Sequence, residues 1–323
     1  MSATSVEPAA ESLVPPARSP SALLVRRLRR DRIALASLAF LVLLVCGASF
    51  GAPLVASLAG HPPNAQFPAA LGANGVPVGP LQHAYEADGF TPDLHGDFFV
   101  LGADRLGRDM LVRVLYGARI SLIVAMGATT LAVLVGILLG VLAGYFGGKL
   151  DAVISRMVET AMAFPALLLA IGLAVVIGPG LGNVLFVIAV FSWFYPARIV
   201  RTVAITVRES QYVEAARSLG AGPARIIVRH VLPQAMGPVL VYSTSIVAAN
   251  ILFEAGLSYI GVGVPPPTAS WGQMLSDGVT SGLYRLQPSL ALVPGIALVL
   301  TMLAFNLLGD ALRDATSAHR GGL

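Results

Sequence analysis

The residues able to do chemistry are few, and their spacing excludes most of it. Five histidines, His61, His83, His95, His230 and His319, fit no metal-ligand spacing; the first three share one polar stretch and could meet only through tertiary folding. The single cysteine, Cys46, lies inside an apolar run, so an internal disulfide is impossible and thiol or zinc chemistry has no partner. Around Gly148 and Lys149, Ala143 stands at the first glycine position of a phosphate loop and Leu150 replaces the hydroxyl residue. This chain should therefore hydrolyse no ATP. No H-E-x-x-H helix occurs and no nucleophile and base pair can be named, so an intramembrane enzyme has no support. No catalytic residue and no metal ligand is expected.

What positions these residues is a chain built for lipid. Of its 323 residues, 56% are hydrophobic and 12% charged, and the mean hydropathy is +0.78, too apolar for a domain that meets water on all sides. The net charge of +4 does not make a nucleic-acid binder, because the arginines flank apolar runs instead of forming one basic face. A hydrocarbon core of about 30 Å needs roughly 20 apolar helical residues. Six stretches answer that description, at 33–58, 120–144, 159–178, 183–206, 237–257 and 289–309. The expected fold class is an all-α membrane protein with six transmembrane helices. Residues 1–20, rich in Ser, Pro, Ala and Glu, read as a disordered cytoplasmic tail. The 33–58 run is too long for a signal peptide and reads as a retained anchor.

Lys and Arg in short flanks set orientation. Arg26, Arg27, Arg29, Arg30 and Arg32 precede the first span, which puts the N-terminus in the cytoplasm. Six spans then place Lys149, Arg156, the stretch with Arg208, Arg217, Arg225 and Arg229, and the tail with Arg313 and Arg320 on the same side. Arg105, Arg108, Arg113 and Arg119 fall outside, against the rule, but in a loop long enough to cross regardless of charge. The organisation expected is a basic segment and first span at 21–58, an extracytoplasmic loop with an interfacial helix at 59–119, a core at 120–309 containing a loop at 207–236, and a cytoplasmic tail at 310–323. The outer loop begins as Pro-, Gly- and Asn-rich irregular chain able to pack as a small lid.

Inside the spans there is almost no charge. Proton- and sodium-coupled carriers place ionisable groups near the midplane, so a self-powered carrier loses ground and the energy source must lie elsewhere. Glu254, with Asn250 one turn before it, faces either the translocation path or a neighbouring helix. Gly136, Gly140 and Gly144 recur every four residues and form a small-residue seam for close helix approach. Asp104, Arg105, Arg108, Asp109 and Arg113 alternate in sign and can pair locally on an amphipathic segment.

The inner loop is patterned. Ser210 is placed to cap a helix over QYVEAARSL, which Gly220 can end in a left-handed conformation; Pro223 suits the first turn of a second helix, expected to stop before Pro233. Val213, Ala216 and Leu219 are expected to form an inward apolar stripe, leaving Glu214 and Arg217 for a partner, with Ala215 and Ala216 small enough for close approach. Periodicity alone favours an ordinary interfacial amphipathic loop.

The residues go further. Glu214-Ala215-Ala216, then Gly220, then His230-Val231-Leu232-Pro233 resembles the EAA loop of prokaryotic ATP-binding-cassette import permeases, with His230 standing at a consensus Ile position. The strings 101–109 and 116–122, 254–261, 265–267 with 270–272, and 305–310 with 312–314 are similar to the dipeptide, oligopeptide and nickel permeases, in particular the "C" partner of a pair. The resemblance implies a type I ABC importer permease bundle whose coupling helix docks on an ATPase through Glu214, Ala215, Ala216, Arg217, Leu219, Gly220, Leu232 and Pro233. It implies a second homologous permease, two ATP-binding subunits or domains carrying ATP and Mg, an extracytoplasmic substrate-binding protein, and no nucleic acid. Arg105, Arg108, Asp109 and Glu254 are the candidate contacts to the binding protein or gate. The implied cargo is a di- or oligopeptide, with nickel or glutathione as alternatives in the same family; a channel or self-powered carrier is the rival from another class.

Overall fold

The computed structural model describes residues 28–317; the expected tail 1–20, Arg26, Arg27, His319 and Arg320 lie outside the described residues. The first helix, α1 (Arg32–Cys46), starts where the Asp31 carboxylate accepts the N–H groups of Ile33 and Ala34 at 2.8 and 3.1 Å. It runs through one wide π turn at Gly47–Gly51 into α2 (Ala52–Ala59), and Gly60, at φ +71°, ends it. The string Gly47-Ala48-Ser49-Phe50-Gly51 has the G-x-S-x-G spacing of a hydrolase elbow. It forms continuous helix and not a strand-to-helix turn, so it offers no nucleophile.

The second span is longer than expected. Asp109 caps α3 (Met110–Val141) by accepting from Leu111 N and Val112 N, and a π turn at Leu142–Phe146 extends it to 37 residues, about 55 Å at 1.5 Å per residue. No separate interfacial helix precedes it. The segment expected to be one is the first turns of α3, because nothing between Met110 and Ile120 breaks the ladder once Asp109 has capped it.

The third and fourth spans are broken helices. α4 (Gly148–Ala163) and α5 (Ala166–Ile177) meet at 93°, so the expected single helix over 159–178 does not exist. Pro165 is the cause: it lacks an N–H for the ladder and drives Phe164 to an extended conformation, φ −101° and ψ 147°. α6 (Leu181–Val190) and α7 (Phe194–Arg208) bend by 42° at residues 191–193. Among the described residues, four helices are long and apolar enough to cross a membrane, or up to six if each bent pair is one span.

Two short helices follow, α8 (Gln211–Ser218) and α9 (Pro223–Ile226), and then α10 (Leu232–Tyr259). The expected stop before Pro233 does not occur. A π turn at Ile227–Val231, in which Leu232 N bonds to Ile227 O, carries the helix past the N–H that proline lacks, and the rod is continuous from Pro223 to Tyr259. α11 (Trp271–Thr280), capped by Ser270, and α12 (Ser289–Ser317) complete the bundle.

The outer loop is more ordered than its composition suggests. β1 (Gln82–His83) pairs antiparallel with β2 (Phe98–Phe99) over a small core of Ala70, Val78, Ala84, Phe99 and Ala103. Asp88 closes a turn there: the Thr91 hydroxyl and the N–H groups of Thr91 and Phe90 hold its carboxyl below the usual range. This lid sits at one end of the bundle and α8 at the other.

The core is tight where α3 crosses α7. A Cβ added at Gly136 would come within 2.6 Å of the Pro196 Cβ; at Gly140, within 2.6 Å of the Ala197 carbonyl oxygen; at Gly144, within 2.5 Å of the Arg201 carbonyl oxygen. The glycines thus let two backbones touch, which in lipid is a main source of helix association. Gly140→Ala should cost about 1–3 kcal/mol through overpacking and lower the thermal midpoint of the detergent-solubilised protein. Gly172→Ala on α5, with nothing near its added Cβ, should leave that midpoint unchanged.

Candidate functional site

The loop between α7 and α10 is built to hold α8 against the end of the bundle. Ser210 stands at the N-cap, but its hydroxyl turns back to donate to Val207 O at 2.6 Å, fastening the start of α8 to the end of α7 and not capping the new helix. At the other end, Gly220 N donates to Arg217 O and Ala221 N to Ala216 O, a Schellman turn that needs the left-handed conformation Gly220 supplies at φ +85°. Pro223 then takes the first position of α9.

One residue anchors α8 from below. Val213 is fully buried in a cluster with Val207, Ile226, Val231 and Tyr145, in which Leu232 is partly buried. Tyr145, on the last turn of α3, adds two contacts: its carbonyl accepts from Arg208 at 3.4 Å, and its ring lies 5.7 Å from the Arg217 guanidinium. His230, the odd residue of the motif, packs its ring 5.6 Å from that of Tyr212, whose hydroxyl accepts from Gln234 at 2.6 Å. It supports α8 from the π turn behind it.

The outward face is Glu214, Ala215, Arg217, Leu219, Gly220 and Pro233, all exposed, with Ala216 half-buried. Leu219 corrects the expected stripe. It is 89% exposed, because α8 ends at Ser218 and the Schellman turn carries Leu219 outward, so the inward contact falls to Val213. An acidic residue, a small residue and a bare leucine side by side make a surface that a soluble partner can cover.

At the lid end, the charges expected to contact a partner mostly contact each other. Asp104 accepts from Arg108 at 2.7 Å and lies 3.2 Å from Arg113, and Arg108 and Arg113 are 4% and 1% exposed. Asp109 is buried as the cap of α3 and bonds to His61 at 2.6 Å. Arg108 and Asp109 are thus framework groups and offer no contact surface. Arg105 alone reaches water, and it pairs with Asp277 on α11 at 3.0 Å. Sequence reasoning missed His61 and Asp277, which lie 48 and 172 residues from their partners. Among the described residues no group of His, Cys, Asp and Glu is arranged to hold a metal ion.

Glu254 does not face an open path. It is fully buried in α10 and accepts from Ser121 at 3.0 Å and Ser258 at 2.8 Å, while Ser121 accepts from Trp271 N at 3.3 Å. One turn away, Asn250 donates to Thr129 and accepts from Ser192, both at 2.9 Å. α10 is thereby tied to α3, to α11 and to the break between α6 and α7.

Asp104→Ala would leave two buried guanidinium groups short of their carboxylate, a loss of about 3–5 kcal/mol, and should lower the thermal midpoint by several degrees or prevent recovery of folded protein. Arg105→Ala, on the exposed member, should cost under about 1 kcal/mol in the same assay.

With this geometry in hand, comparison with known proteins is specific. Residues 136–319 match the family described as "Binding-protein-dependent transport system inner membrane component", and residues 19–74 match "N-terminal TM domain of oligopeptide transport permease C". The "Putative peptide transport system permease protein" of Brucella suis biovar 1 (strain 1330) is 42% identical over 217 residues, 67% of this chain and 72% of that protein. The glutathione transport system permease protein of Escherichia coli O6:K15:H31 (strain 536 / UPEC) is also 42% identical, over 66% of this chain and 70% of its own. A solved structure of the MetNI methionine ABC transporter, inward facing, superposes with a TM-score of 0.53 at 20% identity, covering 64% of this chain and 98% of that one, and shows a shared fold alone. The chain therefore belongs to the binding-protein-dependent transport system inner membrane component family, as a non-catalytic, multi-pass permease subunit of an ATP-binding-cassette importer of the oligopeptide permease type.

Proposed function

We propose that this permease imports di- or oligopeptides, and that α8 is the coupling helix on which an ATP-binding subunit docks. The single observation that carries the docking reading is the exposed face of Glu214, Ala215 and Leu219 on a helix pinned to the bundle by buried Val213. The ATP-binding subunits hold the ATP and Mg. A second, homologous permease pairs with this one, two ATP-binding subunits or domains sit beneath the pair, and a binding protein delivers cargo at the lid. Closure of the ATPases on ATP would push α8, and α7 and α10, continuous with the loop at either end, would swing the bundle between outward and inward access.

Charge supports the orientation. Lys149, Arg156, Arg208, Arg217, Arg225 and Arg229 cluster toward the α8 end, whereas residues 60–104 of the lid contain no Lys or Arg; Arg105, Arg108, Arg113 and Arg119, which follow at the lid end, run against the rule. The α8 end and both termini are therefore assigned to the cytoplasm, and the membrane to the prokaryotic plasma membrane. Peptide cargo is supported by the names of the relatives. One named for glutathione is as similar as those named for peptides, so a γ-linked tripeptide stands as the second reading.

Glu214→Lys and Gly220→Trp test the coupling role in the assembled transporter. Gly220 has open space around its added Cβ, so a large side chain disturbs the docking face and the turn, not the core. Both variants should insert normally and keep basal ATP hydrolysis, yet lose peptide uptake by roughly tenfold or more, the equivalent of about 1.4 kcal/mol in the coupled step. Normal uptake in both would remove α8 from the coupling mechanism.

A further inference from the structure

Two cavities lie along the bundle and meet at one side chain. The first, of about 300 Å³, is neutral and aromatic, lined by Phe191, Tyr195, Tyr242 and Phe253 among others. The second, of about 560 Å³, is a cleft between α4 and α7, with walls that include Ile154, Val158 and Ala197. Met162 lines both. The cleft stands toward the α8 end: ten residues, about 15 Å of helix, separate Arg198 from Arg208. Its volume falls within the range of ordinary small-molecule sites, roughly 300–1,000 Å³.

The ionic groups of the cleft are unequally satisfied. Arg201 is neutralised by Asp151, whose carboxylate accepts from Nη2 at 2.8 Å and also from Nε. Arg198, one turn earlier on α7, makes no ion pair with any described carboxylate; its Nη1 lies 3.4 Å from the Met162 sulfur. Arg198 is exposed on the open wall of the cleft, so its guanidinium, with five donors and no carboxylate partner among the described residues, is free to receive an anion. Three residues before Met162 on α4, Glu159 also lines the cleft; its pair with Arg156, at 3.1 Å, is between side chains 64% and 81% exposed, and water-screened pairs of that kind yield readily.

We propose that this cleft is a station for a zwitterionic peptide on its way toward the α8 end, with Arg198 receiving the C-terminal carboxylate, Glu159 the N-terminal ammonium, and Ile154, Val158 and Met162 the side chains between. The inference rests on the peptide-import reading above. A lipid phosphate shares the anionic chemistry, and a phosphatidylethanolamine headgroup carries both signs, so peptide and lipid are separated by experiment.

The test uses the complete transporter in nanodiscs, without nucleotide, carrying Cys46→Ala and Met162→Cys, and reads the rate at which N-ethylmaleimide modifies the introduced thiol. Alanyl-phenylalanine at about twice its dissociation constant should slow that rate about threefold, the value for two-thirds occupancy. The same dipeptide with acetyl and amide caps should not slow it, and adding Arg198→Gln should abolish the protection. Should Met162→Cys fail to assemble, Ser155→Cys in the same cleft serves as the reporter. Equal protection by free and capped peptides overturns the proposal, as does protection that appears on adding phosphatidylglycerol or phosphatidylethanolamine without peptide, which would make the cleft a lipid headgroup site. Peptide uptake by the unaltered transporter is measured in parallel. Uptake without protection overturns the station alone; no uptake of peptide overturns the cargo reading and this inference with it.

Discussion

Where α7 crosses α3, backbone meets backbone. Gly136, Gly140 and Gly144 leave three successive turns of one face of α3 without a Cβ, and the Ala197 and Arg201 carbonyls of α7 sit in the space left. That contact fixes α7, and α7 runs into α8, the proposed docking helix, with only Glu209 and Ser210 between. The end of α3 repeats the connection through Tyr145, whose carbonyl holds Arg208 and whose ring lies beneath Arg217. A force applied to α8 therefore reaches the long helix α3 by two routes, neither of which includes a flexible linker.

Polar groups inside the bundle complete the frame. In lipid an interhelical hydrogen bond contributes about 0.6–2 kcal/mol and has no water to compete with it. Thr129, Asn250 and Ser192 link α3 to α10 and to the break between α6 and α7, and Ser121, Glu254 and Ser258 link α3 to α10 nearer the lid. The broken pair α4 and α5 lies outside these networks and leaves Leu168, Val175 and Val176 on α5 exposed to lipid or to a neighbouring subunit. The bundle thus has a braced side and a loosely held side, and the two cavities open between them.

Legibility in the sequence followed the range of the interaction. The six apolar runs, the glycine seam and the turn at Gly220 were readable because each depends on residues within a few positions of one another. The break at Pro165 was equally local, yet the apolar run hid it: hydropathy counts proline as tolerable, while the hydrogen-bond ladder does not. Pro233 failed in the opposite sense, because a π turn can step over a missing N–H and no residue type announces one. Leu219 was assigned inward by periodicity, which stops applying where the helix does. The ion pairs at the lid end could be guessed within 104–113, but not with His61 or Asp277, since only the fold brings those together.

The central claim is that the exposed face of α8 is where the motor docks. A thiol introduced by Leu219→Cys in a Cys46→Ala background, treated in native membranes with a short thiol-to-lysine cross-linker, measures that contact directly. The account predicts a covalent adduct between permease and ATP-binding subunit from Leu219→Cys, and none from Leu94→Cys on the exposed surface of the lid. An adduct from Leu94→Cys, with none from Leu219→Cys, would contradict it.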